Sequence, residues 1–214
     1  MSAPYQTFIQ IIIISLASAQ LSACSATNGD DGTDETEIVD VIDTSFEDLL
    51  TVATAAGSDA IEIYHEGFTP EGALPTTGSA IYNGYVNSWH NERDDDGVLT
   101  HVTDTIGEVS LSASFADNDI SGRIYNLSSA ETGKIGGELT GTGDISQVFG
   151  GNIFDMDMSG TLVIDGARGD YTGEMDGTFY GEDGDLVMIN VEGELDFDDD
   201  EVEDFDLVGF AVAE

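Results

Sequence analysis

From about residue 78 the chain alternates apolar and polar side chains with a period of two, which only an extended strand with one buried face satisfies. The clearest stretch is residues 153–165, IFDMDMSGTLVID. There Phe154, Met156, Met158, Leu162 and Ile164 share one face, opposed by Asp155, Asp157, Ser159, Thr161 and Asp165. Tyr171, Met175 and Phe179 then share a face with Gly173 and Gly177, and Val187, Ile189, Val191, Leu195 and Phe197 repeat the arrangement against Asn190, Glu192, Glu194 and Asp196. Turn-like AspGly and GluAspGlyAsp segments join these three strands into a meander.

Upstream, Val109, Leu111, Ala113 and Phe115 alternate with serines, and an AspAsnAsp turn leads into a strand over 120–127. Strands over 80–89, 134–145 and 206–212 complete a set of eight. Eight strands suffice to close an antiparallel up-and-down β-barrel around its own side chains and remove its edges; a two-sheet β-sandwich is the alternative. With 26 Gly and only 3 Pro, the composition fits an all-β chain. The glycines at inward positions, Gly136, Gly137, Gly141, Gly143, Gly173 and Gly177, are read as structural, allowing strands to coil tightly. Ahead of this region the pattern is weaker: residues 46–56 suit a short helix or a first strand, and Ile61 to Tyr64 alternates like a short strand.

The chain carries 44 Asp and Glu against 4 Lys and Arg, a formal charge of −40, all of it after Cys24. Nucleic acid and anionic lipid surfaces are thereby excluded as partners of the folded body. Self-repulsion of this size is relieved by screening ions and fits a salty environment; more simply, the acid keeps an exported protein soluble.

Residues 8–21, FIQIIIISLASAQL, form an apolar run ending in small residues, and Leu21-Ser22-Ala23-Cys24 looks like the lipobox of bacterial lipoprotein signals. The only Cys of the chain cannot form an internal disulfide, yet it stands directly behind this run. The expectation is a signal peptide over 1–23, lipidation of Cys24, an acidic tether over 24–45, a lead-in segment over 46–74 and a barrel domain over 75–214. An uncleaved transmembrane anchor is the competing reading, and the amino-terminal MSAPYQT lacks the usual Lys or Arg.

Three segments, Leu74 to Gly84, Ser114 to Gly122, and Gly177-Thr178-Phe179-Tyr180-Gly181 followed by Val191-Glu192-Gly193-Glu194-Leu195, resemble the β-barrel domain of transferrin-binding protein B and its small lipoprotein relatives, the transferrin-binding-protein-like solute-binding proteins. The resemblance implies a lipid-anchored, non-enzymatic domain in the bacterial outer membrane. It carries over no residue for iron or transferrin, and because the full receptor has two lobes where this chain has room for one barrel, transferrin is not expected as the partner.

The residues supply no nucleophile paired with a base and no G-x-S-x-G or H-E-x-x-H motif, so no enzyme and no cofactor are expected. The acidic runs at Asp94 to Asp96 and Asp196 to Asp206 offer oxygen ligands for Ca²⁺ but lack EF-hand spacing, and read more simply as solvated turns and strand faces. His90 and His101 would fall opposite each other in a hairpin centred between Asp95 and Asp96. They are weak metal candidates, because a zinc or copper site needs a third ligand. Tyr82, Tyr85 and Trp89 form either an aromatic contact patch or barrel packing. The expected role is a binding lipoprotein whose barrel exterior and loops contact a protein or solute, in uptake or adhesion. The alternatives are a lipocalin-like carrier with a small apolar ligand in the lumen and a purely structural coat lipoprotein.

Overall fold

The alternation closes on itself. In the computed structural model, which describes residues 44–93, 99–148, 151–197 and 202–213, the elements are α1 (Phe46–Tyr64), β1 (Ser79–Arg93), β2 (Leu99–Ser114), β3 (Asp119–Ser129), β4 (Gly133–Lys134), β5 (Gly136–Val148), β6 (Gly151–Ile164), β7 (Ala167–Tyr180), β8 (Leu186–Phe197), β9 (Val202–Asp204) and β10 (Leu207–Ala213). Neighbours pair antiparallel in the order β10-β1-β2-β3-β5-β6-β7-β8, and β10 also pairs with β8. Eight strands therefore make a ring, with β4 and β9 paired alongside β3 and β8. The continuous path rules out the sandwich.

The turns follow from their residues. Asp165 and Gly166 both have positive φ, 48° and 83°, the pair that a type I′ hairpin between β6 and β7 requires. Inside the ring Phe154, Tyr171, Phe179 and Met175 are fully buried, and the Phe179 ring meets Tyr82 and Phe154 edge to face, at 5.8 and 5.9 Å between centroids. Each such side chain contributes roughly 1.5–3 kcal/mol on burial. The segment after α1 crosses one end of the barrel. Its Thr69 N–H donates to the Phe179 carbonyl, the buried Asn152 amide donates to the Thr69 and Pro70 carbonyls, and Leu74 enters the core.

Of the two alternatives for residues 46–56, the helix is the one that forms; the expected strand at Ile61 to Tyr64 is corrected, because the helix continues to Tyr64. Ser45 caps it by accepting the Asp48 N–H, and Glu47 and Asp48 occupy the first turn. Leu49, Ala53 and Ala60 recur at helical spacing and are buried, whereas the outward Ile61 is 42% exposed; the apparent alternation at 61–64 was the end of a helical stripe. That stripe covers apolar residues on the outside of the barrel. Leu49 and Ala53 pack on Ile106, with Tyr85 beside them, and Ala60 packs on Tyr180 and Leu186, with Phe210 and Val212 beside them.

The seam between β1 and β10 requires glycine. A Cβ on Gly84 would collide with the Phe210 carbonyl and one on Gly209 with the Tyr85 carbonyl, both rigid backbone. Replacement of Gly84 by Val is expected to detach β10 while the remaining pairings persist. Hydrogen exchange checks this: Leu207 to Ala213 should lose amide protection before β6 and β7 do, and unchanged protection there would refute the role of this glycine.

Candidate functional site

Two outward regions of the barrel differ from the surface expected of alternation alone. The first is acidic. The register lines up Asp119, Asp144, Asp155 and Asp176 across β3, β5, β6 and β7, and one row along, Asp157, Glu174 and Glu192 across β6, β7 and β8. All are exposed. Like charges directly opposite one another destabilise a sheet. Asn190 ends the first row, and its amide donates to Asp176 at 3.3 Å and to Glu192 at 3.0 Å. Partial desolvation raises the Asp176 carboxyl above its ordinary range; the Asn190 hydrogen bond opposes this, and repulsion from Asp155, Glu192 and Glu174 adds to it. A shallow groove beside this face is lined by Glu174, Glu192, Glu194 and Asp206 and floored by the paired glycines Gly173 and Gly193. From the inside, the Tyr171 ring covers that glycine pair. Its hydroxyl is pushed up to about 12 by burial and by Asp206 and Glu192.

The second region is a bulge. Ile106 pairs with Ser128 but Glu108 with Tyr125, so Asn126 and Leu127 together oppose Gly107. Gly107 has to be small, because a Cβ there would lie 2.6 Å from the Leu127 side chain. The extra residue breaks alternation and leaves two consecutive side chains, Tyr125 and Asn126, on the outer face, while Leu127 and Ser128 are both buried. Asn126 adopts φ 51°, a left-handed conformation that Asn tolerates better than most residues. Its amide donates to the Glu108 carboxylate at 3.2 Å. Across the strands the row reads Phe210, Tyr85, Glu108, Tyr125. Glu108 is thus a half-buried carboxylate between two tyrosines. Burial raises both tyrosine hydroxyls, and Glu108 adds to the shift in each. Arg123, two residues before Tyr125, lies 4.4 Å from the centroid of its ring and 3.8 Å from Glu138.

The residues singled out from the sequence are dispersed. Cys24 and Asp94 to Asp96 lie outside the described residues, as do residues 198–201 of the run between Asp196 and Asp206. A bulge at Asp104, beside Ser88, sets the hairpin register so that His90 lies opposite Val102 and His101 opposite Asn91. The two histidines therefore occupy opposite pleat parities instead of one pair; their side chains, like that of Trp89, are outside the described residues. Among the described residues no group of three His, Cys, Asp or Glu is placed to hold a metal. The aromatic alternatives divide: Tyr82 is core, with its hydroxyl on the Gly184 carbonyl at 2.9 Å, and Tyr85 faces outward beside Glu108. Glu108, Tyr125 and Asn126 were not picked out from the sequence. The signal for them is the spacing of Ile124 and Leu127, both inward yet an odd number of residues apart, which a regular strand forbids.

The crowded acidic face makes a pH-dependent prediction. A carboxyl raised in the folded state is a penalty fully present above its folded pKa and absent below the unfolded value. Asp176→Asn keeps an acceptor for Asn190, so it is expected to stabilise the barrel at neutral pH. The gain should shrink in high salt and vanish as pH falls below the ordinary aspartate range. Chemical denaturation across pH and salt checks the sign, and a loss of stability at neutral pH would contradict it.

No family model matches the chain, and no curated protein matches it. Among solved structures the chain is similar to a mutant of the vaccine antigen transferrin binding protein B from Haemophilus parasuis Hp5, at 15% identity and a TM-score of 0.43. The match covers 68% of this chain and 28% of that one, so this chain spans little more than a quarter of that protein's length. The barrel assignment rests on the strand pairing itself.

Proposed function

We propose that the chain is a non-enzymatic, lipid-anchored binding module of the bacterial outer membrane, with its barrel exterior and loops contacting a protein or solute in uptake or adhesion. The observation that carries this reading is the lumen. Tyr82, Phe154, Met156, Met175 and Phe179 fill it and are each at most 2% exposed, whereas a carrier of the lipocalin type needs an interior wide enough for its ligand. The outer face, by contrast, is differentiated into an acidic region and an aromatic bulge. Lipid attachment rests on the Leu21-Ser22-Ala23-Cys24 sequence alone.

Two measurements test the two halves of this reading. Phe179→Ala is expected to cost about 3–5 kcal/mol, the amount typical of a cavity opened in a packed core, and wild-type protein should show no saturable uptake of an apolar fluorescent probe. Saturable uptake together with a small stability loss would favour the carrier. Separately, Cys24→Ser is expected to move the protein from the membrane to the soluble fraction and abolish acyl labelling while leaving the barrel folded; membrane retention of the variant would refute the anchor.

A further inference from the structure

We propose that Tyr85, Glu108 and Tyr125 form a receptor for the guanidinium or ammonium head of a basic side chain presented by a partner protein. This rests on the reading that binding occurs on the barrel exterior, and it names the chemistry of one place there. Glu108 lies between two tyrosines in one cross-strand row. Strands are spaced by roughly 4.8 Å, so the two tyrosine backbones stand about 10 Å apart with the carboxylate between them. That arrangement offers an organic cation an ion pair at its centre and aromatic groups on two sides.

The bulge fixes the geometry. It brings Asn126 onto Glu108 at 3.2 Å, so the carboxylate is held in place by an uncharged donor rather than by a cation. Arg123 does not neutralise it, being placed over the Tyr125 ring at 4.4 Å and beside Glu138 at 3.8 Å. Arg123 also shows that this ring accepts a guanidinium. A compact metal ion fits poorly, because Ca²⁺ takes six to eight oxygen ligands and one carboxylate flanked by rings supplies few. Anions are repelled by a chain of net charge −40. A large, weakly hydrated cation remains, and guanidinium is the best example among side chains.

The test is an amide NMR titration of the full chain with N-acetyl-arginine amide, run in about 0.5 M salt, where the screening length of a few Å suppresses long-range attraction to the acidic face. Saturable shifts are expected at Tyr85, Glu108, Tyr125 and Asn126. Affinity should fall about tenfold in Glu108→Gln and in Tyr125→Leu, the scale of one cation–aromatic or charged contact. It should persist in Tyr125→Phe, which keeps the ring, and in Glu174→Gln on the acidic face. The neutral isostere N-acetyl-citrulline amide should not compete. Should Tyr125→Leu fail to fold, Glu108→Gln against wild type decides the matter. Equal binding of the citrulline compound, an absence of saturable shifts, or shifts spread over β6 to β8 that Glu108→Gln leaves unchanged would each overturn the assignment. An empty titration combined with exclusion of the apolar probe from the lumen would sink this site and leave exterior binding standing, whereas uptake of the probe would sink exterior binding on its own.

Discussion

β10 hydrogen-bonds with both of its edges, to β8 on one side and to β1 on the other, and these seven residues turn an open, twisted sheet into a ring. Without them β1 and β8 would each present a long row of unpaired backbone groups, the arrangement that recruits other chains into edge-to-edge pairing. The close approach at Gly84 and Gly209 makes the seam possible, and α1 covers it by packing on Phe210 and Val212 from outside. The lumen depends on the same seam, because Tyr82 on β1 and Phe179 on β7 meet across a ring that only β10 completes. Backbone pairing, core packing and helix docking are thus three aspects of one closure.

The outer surface then divides according to what covers it. Where α1 lies, outward positions are apolar and buried, as at Ile106 and Leu186. Away from α1, the middle of β5 to β8 sets carboxylates directly opposite one another, as in Asp144-Asp155-Asp176 and Asp157-Glu174-Glu192. Such rows oppose the pairing of the strands that carry them, and Asn190 ends one of them. The sheet persists because its inner face is packed with large side chains, each contributing more than a repulsion between exposed, screened carboxylates removes. The proposed binding surface is thus one that stability tolerates but did not select.

Much of the fold was legible in the sequence because a half-buried strand leaves a local, periodic trace. Phe154, Met156 and Met158 are read inward from their spacing and are inward. The AspGly turn was legible for the same reason, since its two residues state their own backbone requirement. Other features were hidden by non-local causes. The first half of β2 was missed because its outward residue Ile106 is apolar, and it is apolar only because a helix from far earlier in the chain rests on it. The end of that helix reads as a strand, since Ile61 and Ile63 alternate over too few residues to separate a period of 2 from one of 3.6. The opposition of His90 and His101 assumed a symmetric hairpin, while the register is set from the barrel body and shifted by a bulge at Asp104. The aromatic bulge was partly visible, with Tyr85 noted and its neighbours Glu108 and Tyr125 not, because cross-strand neighbours are distant in sequence.

The order of elements along the chain also governs how the barrel is made. The strand that seals the ring is the last of the eight, and the helix that covers it precedes them all. Through most of its emergence the chain therefore carries two open sheet edges and a bare helical stripe of Leu49, Ala53 and Ala60. Such half-built sheets are the species most prone to join one another. The outward carboxylates of β5 to β8 give every incomplete copy a strong negative charge on the sheet that ends in the open edge of β8. Repulsion that weakens the finished barrel slightly thus keeps unfinished ones apart until β10 arrives.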